Sequence, residues 1–89
     1  MYYVYVIKNK DNKLYIGYTS NLVQRLKEHN EGKSEHTKKY LPWRYVYFEG
    51  YADQNEATDR EKKLKQFGKV YSQIKLRIRR SLGTEKVRG

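Results

Sequence analysis

Two apolar runs separated by a polar segment open the chain. Tyr2–Ile7 and Leu14–Tyr18 are dense in aromatic and β-branched residues, whereas residues 8–13 are only Lys, Asn and Asp. The apolar runs favour β-strands and the segment between them favours a turn. The pattern therefore predicts an antiparallel hairpin.

The alternation of side chains along the first strand assigns its residues to two faces. Successive side chains point to opposite faces of a strand, so Tyr3 and Tyr5 share one face while Val4 and Val6 share the other. A turn centred on the third residue of the polar segment would put Tyr5 opposite Tyr15, although the register is not fixed by composition.

A first helix is predicted directly after the hairpin. Asn21 is a good N-cap residue, and Gln24 follows it at the spacing of a capping box. The helix should continue to about Asn30 and stop at Gly32.

The rest of the chain predicts one more strand and two more helices. A polar, basic loop over 33–41 precedes a strand-like run at Trp43–Phe48. The second helix should begin at Asp53 and stop at Gly68, and the third should span about 70–82. The predicted order of elements is β-β-α-β-α-α.

One carboxylate stands in the apolar stripe of the second helix. Glu61 lies between Ala57 and Leu64 on the side expected to face inward, with Phe67 or the next residue completing the stripe. A buried acid must be paired, neutralised or bound to metal. An ion pair with Lys65, four residues on, is one interpretation. A ligand role for Mg²⁺ or Mn²⁺, hard cations that accept one carboxylate plus waters and phosphate oxygens, is the other.

Length and charge narrow the class of protein. The 89 residues suffice for one domain, expected over 1–82 with a flexible tail at 83–89, and the net charge of +10 is typical of a nucleic-acid-binding protein. The chain contains no cysteine, which leaves no disulfide and no thiolate metal site. No signal peptide or membrane-spanning run is evident, so the expectation is a cytoplasmic protein without a membrane partner.

Basic residues outside the hairpin are candidates for phosphate contacts. They occur in the polar loop and in the last helix: Lys33, Lys38, Lys39, Arg77, Arg79 and Arg80. The chain has no glycine-rich phosphate loop and no motif for acyl transfer, so neither a nucleotide cofactor nor a hydrolase triad is expected.

Two basic residues of the first helix allow two interpretations. Arg25 and His29 are four apart and therefore share a helix face. They could form a solvated edge, as basic helix residues usually do. They could instead clamp a phosphate, because a guanidinium offers fixed, permanently charged donors. Tyrosines in a hairpin, likewise, are most often packing residues.

Taken together, these positions resemble a known pattern. Tyr3-Val4-Tyr5 and Tyr15-Ile16-Gly17, followed by Arg25, His29 and Glu61, resemble the GIY-YIG nuclease superfamily. The resemblance covers about residues 2–67 and fits the small single-domain bacterial branch. Tyr3 stands where the first signature has glycine.

The resemblance implies an α+β fold, a small three-stranded antiparallel sheet flanked by helices. It also implies cleavage of a DNA phosphodiester with one divalent ion, Mg²⁺ or Mn²⁺. Tyr5 and Tyr15 would lie beside the scissile phosphate, one of them as general base or water-positioning group. Arg25 would steady the phosphoryl group, His29 would assist proton transfer or hold an oxygen, and Glu61 would anchor the metal.

A tyrosine base makes a demand on its surroundings. The ordinary pKa of tyrosine is about 10, so reaching a phenolate at pH 7 takes ~4 kcal/mol of differential stabilisation. Cations lower that cost and apolar burial raises it. A partly open, electropositive pocket is therefore expected.

Three functions are compatible with the sequence. The leading interpretation is an endonuclease of low sequence specificity, selective for branched, flapped or damaged DNA as in repair or recombination. The alternative is a non-catalytic module that binds DNA, or RNA in association with the ribosome. A domain that binds an acidic protein is a third interpretation, and the oligomeric state stays open.

Overall fold

The computed structural model describes residues 1–66 and 68–82, and the predicted fold is confirmed. A three-stranded antiparallel sheet and three helices follow in the expected order: β1 Tyr2–Lys8, β2 Leu14–Thr19, α1 Leu22–Asn30, β3 Arg44–Tyr51, α2 Gln54–Gln66 and α3 Gly68–Arg77. The predicted inward position of Phe67 and the predicted tail at 83–89 lie outside the described residues. Within those residues, no helix is long and apolar enough to cross a membrane.

β1 is the central strand of the sheet, with the order β2-β1-β3. Its four consecutive residues 4–7 are completely buried, so both faces of this strand are covered. The two sets of residues assigned to opposite faces are both apolar and both buried, as in strands that are covered on each face.

The hairpin register differs from the one considered from sequence. Tyr5 pairs with Gly17, and Tyr15 lies one residue pair further along the same face. The turn is displaced because the Asn9 carboxamide accepts two backbone N–H groups of the turn, at 3.0 and 2.8 Å, and Asn12 adopts a left-handed φ of 65°. Tyr5 and Tyr15 are therefore diagonal neighbours on one face and do not oppose each other.

The face of the sheet that carries Val4 and Val6, here called the helix face, is covered by α2 and α3. Its core is completed by apolar residues from both helices and from the two outer strands, namely Ile16, Val46, Ala57, Leu64, Ile74 and Leu82. α2 contacts all three strands. This face supplies most of the apolar burial that holds the sheet together.

The opposite face, here called the tyrosine face, carries Tyr5 and Ile7. Trp43 is buried against them, and Leu22 and Leu26 of α1 pack on the same cluster. Leu22 and Leu26, four residues apart on one side of α1, therefore anchor this helix to the tyrosine face.

α1 begins and ends at the residues predicted from sequence. The Asn21 side chain accepts the backbone N–H of Gln24 at 3.0 Å. At the other end, Gly32 has a φ of +77°, and its N–H and that of the next residue donate to the carbonyl oxygens of His29 and Glu28, both at 3.1 Å. This arrangement is a Schellman motif, and it fixes the last turn of α1, where His29 lies.

Two element boundaries differ from the prediction. β3 begins at Arg44 and extends to Tyr51, because Val46 forms a bulge that lets the strand continue along β1. α3 begins at Gly68 and ends at Arg77 in place of about 82. The chain beyond it still turns, which brings Leu82 back to the core.

Candidate active site

Tyr5 crosses directly over Gly17 of the neighbouring strand. A Cβ atom at Gly17 would lie 2.3 Å from the Tyr5 hydroxyl oxygen and 2.4 Å from its Cζ atom. The glycine of the second signature is thus required because it gives room to the tyrosine of the first. Tyr5 is completely buried in this position.

The Tyr5 hydroxyl group belongs to a chain of hydrogen bonds. Arg25 Nε donates to the hydroxyl oxygen at 3.2 Å, and His29 Nε2 lies 2.8 Å from the same oxygen. His29 Nδ1 lies 2.7 Å from the Thr37 hydroxyl oxygen. Because the arginine can only donate, the tyrosine proton is directed to His29 Nε2, and His29 Nδ1–H donates to Thr37.

Burial keeps the hydrogen-bonded side chains of Tyr5 and His29 uncharged. Desolvation is the main cause that lowers the pKa of His29, to about 4, with the charge of Arg25 acting in the same direction. Desolvation also raises the pKa of Tyr5, against the hydrogen bond and charge of Arg25. Transfer of the tyrosine proton to His29 is therefore strongly uphill. The open pocket expected around a tyrosine base is not found at Tyr5.

Tyr15 is the tyrosine of the pair that reaches the surface. It is half-buried, with the His29 ring at its edge, 5.5 Å between centroids. The exposed His36 ring stacks on it at 6.2 Å and 22°, and Lys65 Nζ lies 5.7 Å from its ring centre. Tyr15 is thus partly open to solvent, with the ammonium group of Lys65 over its ring.

Arg25 lies between the buried hydrogen bonds of Tyr5 and the protein surface. About 31% of its side chain is exposed, and Nη1 forms an ion pair with Glu28 at 3.0 Å. The hydrogen bond from this guanidinium is the main cause that lowers the pKa of Glu28. Two ordinary contacts, to Tyr5 and Glu28, therefore orient a permanently charged group at the edge of the site.

Glu61 lies at the same edge, on α2. Its carboxylate pairs with Lys65 Nζ at 3.1 Å, so the ion pair considered from sequence is present. The side chain keeps 22% of its surface exposed, and its charge is one of the lesser causes that raise the pKa of Tyr5. The carboxylate of Glu61 therefore acts electrostatically on Tyr5.

The donor set around Glu61 suits a hard, hydrated cation. Across residues 1–66 and 68–82, no group of three or more Asp, Glu or His side chains could enclose a metal ion. A single accessible carboxylate can still hold Mg²⁺ or Mn²⁺ through one oxygen, provided that water and substrate phosphate complete the shell. The residues present fit such an ion.

Three supporting residues were not identified from the sequence. Trp43 Nε1 donates to the Thr37 carbonyl oxygen at 3.0 Å. Asn30 holds the Trp43 backbone from both sides, accepting its N–H at 2.6 Å and donating to its carbonyl at 3.0 Å. These bonds fasten the loop that brings Thr37 to His29. The single tryptophan of the chain, directly after the polar loop, was the one sequence signal for a buried anchor there.

The three loop lysines predicted to contact phosphates lie near the site. Lys33 and Lys38 pair with Glu31 and Glu35 at 3.2 and 3.1 Å but stay exposed, and Lys39 is exposed without an ion-pair partner among the described residues. All three belong to the loop that carries Thr37. Two other residues of this loop reach the site, His36 against Tyr15 and Thr37 against His29, so the three lysines, here called the basic rim, border it along the chain.

The arginines of the last helix lie elsewhere. Arg77 lines a pocket of about 210 Å³ with Tyr47, Glu49 and Arg60, on the helix face of the sheet. Arg79 and Arg80 follow in the exposed turns after α3. The structure does not bring Arg77 to the tyrosine face.

The geometry agrees with what known proteins show. The family model of the GIY-YIG catalytic domain matches residues 1–71 of the chain. The chain belongs to the GIY-YIG family. This assignment confirms the resemblance seen in the sequence. The family suggests a nuclease-type function on nucleic acid, and GIY-YIG nucleases generally use a divalent metal.

Relatives of this GIY-YIG domain occur in several bacteria. A UPF0213 protein of Staphylococcus haemolyticus is 44% identical over 69 residues, covering 76% of this chain and 84% of the relative. A UPF0213 protein of Clostridium perfringens is 45% identical over 62 residues, 68% of this chain and 67% of the relative. The solution NMR structure of the UPF0213 protein from Bacillus halodurans superposes with a TM-score of 0.53 at 30% identity, covering 88% of this chain and 87% of the other.

Proposed function

We propose that this GIY-YIG domain is a metal-dependent endonuclease that hydrolyses DNA phosphodiester bonds with little sequence specificity. The observation that carries the proposal is the bond from Arg25 Nε to the buried Tyr5 hydroxyl, at 3.2 Å, which aims a charged guanidinium at the site edge shared with Tyr15. A solvated helix edge has no need of such a support. Preorganised charge of this kind stabilises a phosphoryl transition state.

Each side chain has a role that follows from its exposure. Arg25, partly exposed, contacts the phosphoryl oxygens. Tyr15, at the surface among His36 and Lys65, contacts and orients the attacking water. Tyr5 and His29 stay neutral and buried, and their hydrogen bonds hold the guanidinium in position.

Glu61 would hold the divalent ion, Mg²⁺ or Mn²⁺, through its carboxylate. The ion supplies Lewis-acid polarisation of the phosphate and stabilises the leaving oxygen. The Lys65 partner must release the carboxylate for this, and an exchange of that kind is inexpensive because partly exposed ion pairs contribute only about 0.2–1 kcal/mol.

One observation favours a second function, a non-catalytic nucleic-acid-binding module. Glu61 already has a cationic partner in Lys65, so its position is explained without metal. In that case the basic rim binds phosphates and no bond is cleaved.

A cleavage assay distinguishes the two functions. Labelled duplex, flapped, branched and single-stranded DNA are incubated with and without Mg²⁺ or Mn²⁺. Cleavage in the presence of metal is expected to fall at least about 100-fold in Glu61→Gln and Arg25→Ala, the size of effect seen when one transition-state contact is removed. Tyr15→Phe should reduce the cleavage rate more than Tyr5→Phe does, because Tyr15 orients the attacking water and Tyr5 only holds Arg25 in position.

The matched controls are Glu56→Gln and Lys27→Ala, exposed residues of the same two helices. Both should cleave at the parent rate. Salt-sensitive binding without cleavage of any substrate, unchanged in Glu61→Gln, would reject the endonuclease and support the binding module.

A further inference from the structure

An aromatic patch lies open on the tyrosine face, next to the candidate active site. It consists of Tyr3 and Phe48, whose ring centroids are 5.9 Å apart at 79°. Phe48 is 53% exposed, although it belongs to a strand in a small protein with a small hydrophobic core. α1 packs on the cluster around Tyr5 and leaves this end of the face uncovered.

The patch is built in the same way as the active-site tyrosine. Tyr3 pairs with Gly50 of β3, and a Cβ atom there would lie 3.3 Å from Tyr3 Cε1. The Tyr3 ring therefore lies over a glycine of the next strand, as Tyr5 lies over Gly17. Packing on the sheet backbone holds this ring in place beside Phe48.

The patch adjoins the buried tyrosine that supports the site. Phe48 is the cross-strand partner of Tyr5 on the same face, and cross-strand neighbours have Cβ atoms about 5 Å apart. The Tyr5 hydroxyl in turn holds Arg25. Phe48 and Arg25 therefore lie on the same face of the sheet, on either side of β1, and a nucleic-acid strand held at Arg25 reaches Phe48 when it runs across the sheet from β2 toward β3.

We propose that the aromatic patch stacks an unpaired nucleobase next to the scissile phosphate. Exposed aromatic rings stack bases of any sequence, which agrees with little sequence specificity. A paired base hides its ring faces within the duplex, so only an unpaired base can use the patch. The substrate class is then DNA with an unpaired nucleotide beside the cleaved bond, as at a flap, bulge or junction.

A nucleic acid fits this surface better than a second copy of the chain. The net charge of +10 favours a polyanion and opposes self-association of the domain. The inference rests on the proposed function for the position of the phosphate, but base stacking itself can be measured without cleavage.

The test uses the full chain in metal-free buffer with a chelator, where no cleavage occurs. Oligonucleotides carry the fluorescent base 2-aminopurine at an unpaired position beside a duplex, and a fully paired duplex of the same sequence serves for comparison. The parent protein should quench the unpaired base and bind that oligonucleotide more tightly than the duplex. Phe48→Leu, which keeps apolar volume and removes the ring, should lose the quenching and about 5- to 100-fold of that affinity, with duplex binding unchanged.

Two variants serve as controls. Phe48→Trp should restore quenching and affinity, and Leu76→Ala, at a 70% exposed leucine of α3, should behave like the parent. Equal losses on paired and unpaired DNA, or no loss in Phe48→Leu, would overturn the inference. So would a parent dimer that dissociates in Phe48→Leu, because the patch would then be a protein interface.

The two proposals fail in different ways. Quenching that depends on Phe48, with no cleavage of any substrate when metal is added, rejects the endonuclease and retains the stacking site. Cleavage of paired and unpaired substrates at equal rates, indifferent to Phe48, rejects the stacking site alone.

Discussion

Gly17 decides whether Tyr5 can occupy its position. Its backbone lies beneath the phenol ring, so any side chain at this position must displace the ring or separate the strands. The spacing of the second signature is therefore a packing requirement as well as a feature of the sequence.

Replacement of Gly17 by alanine should destabilise the protein by about 1–3 kcal/mol, because a methyl group would overlap the Tyr5 ring. The midpoint of urea unfolding would report it. Gly68→Ala is the matched control, since a Cβ atom there meets nothing within 4 Å, and it should be neutral or slightly stabilising. Equal midpoints for the two variants would contradict the packing argument.

His29 should make stability depend on pH. Its pKa is about 4 in the folded protein and 6.5 in the unfolded chain, so between these values the unfolded state binds more protons. The free energy of unfolding should therefore be unaffected by His29 above pH 6.5 and should fall by about 3 kcal/mol as the pH decreases to 4.

Urea midpoints measured from pH 7.5 to pH 4 test this dependence. His36→Gln, which removes the exposed histidine, should keep the full slope, whereas His29→Gln should lose most of it. A slope that is unchanged in His29→Gln would show that other groups cause it.

At the scale of elements, the loop after α1 acts as a clamp on the site. Asn30 holds Trp43, Trp43 holds Thr37, and Thr37 holds His29. The loop has little regular structure, yet Thr37 is completely buried at its centre. These bonds add to those within the loop, where the N–H groups of Thr37 and the next residue donate to the Ser34 carbonyl oxygen.

Thr37→Val should leave His29 Nδ1 without a buried partner and cost about 1–3 kcal/mol of stability. It should also shift the His29 tautomer, which the ¹⁵N chemical shifts of the ring report directly. Thr37→Ser keeps the hydroxyl and should restore the parent tautomer. Identical ring shifts in all three proteins would exclude the proposed hydrogen bond.

The sequence predicted elements better than it predicted contacts between them. Strands, helix caps and the spacing of Arg25 and His29 are local properties, which composition and periodicity report. The hairpin register depended on the Asn9 side chain, and the burial of Tyr5 depended on that register. Neither is encoded in a periodic pattern.

Contacts between residues far apart in the chain could not be predicted from the sequence for the same reason. Thr37 reaches His29 across eight positions through an irregular loop, and no repeat of polar residues marks such a bond. The ion pair of Glu61 was among the alternatives because Lys65 is one helical turn away. The candidate site was therefore predictable where it is local, and not where a loop completes it.

For the molecule as a whole, charge is distributed over both faces of the sheet. The loop lysines border the tyrosine face, whereas Arg77 lies across the sheet from it. A nucleic acid held at the candidate site should therefore depend on the first group and be nearly indifferent to the second.

Binding of duplex DNA should weaken linearly in a plot of log affinity against log salt, with a slope of about 0.9 for each phosphate neutralised. Lys39→Ala should reduce that slope by about one phosphate, because this exposed lysine has no ion-pair partner among the described residues. Lys62→Ala, on the exposed side of α2, should not change it. Equal slopes in the parent and Lys39→Ala would place the DNA elsewhere.

On the proposed function, Lys65 competes with the divalent ion for the Glu61 carboxylate. The Lys65 ammonium group already pairs with Glu61. A divalent ion that binds the carboxylate must therefore displace this ammonium group. Lys65→Gln should therefore strengthen Mn²⁺ binding by up to about 5-fold, the equivalent of a partly exposed ion pair, while Lys62→Gln leaves it unchanged. Titration of the Mn²⁺ paramagnetic resonance signal measures both affinities, and on the proposed function Lys65 would set how much free metal the domain requires.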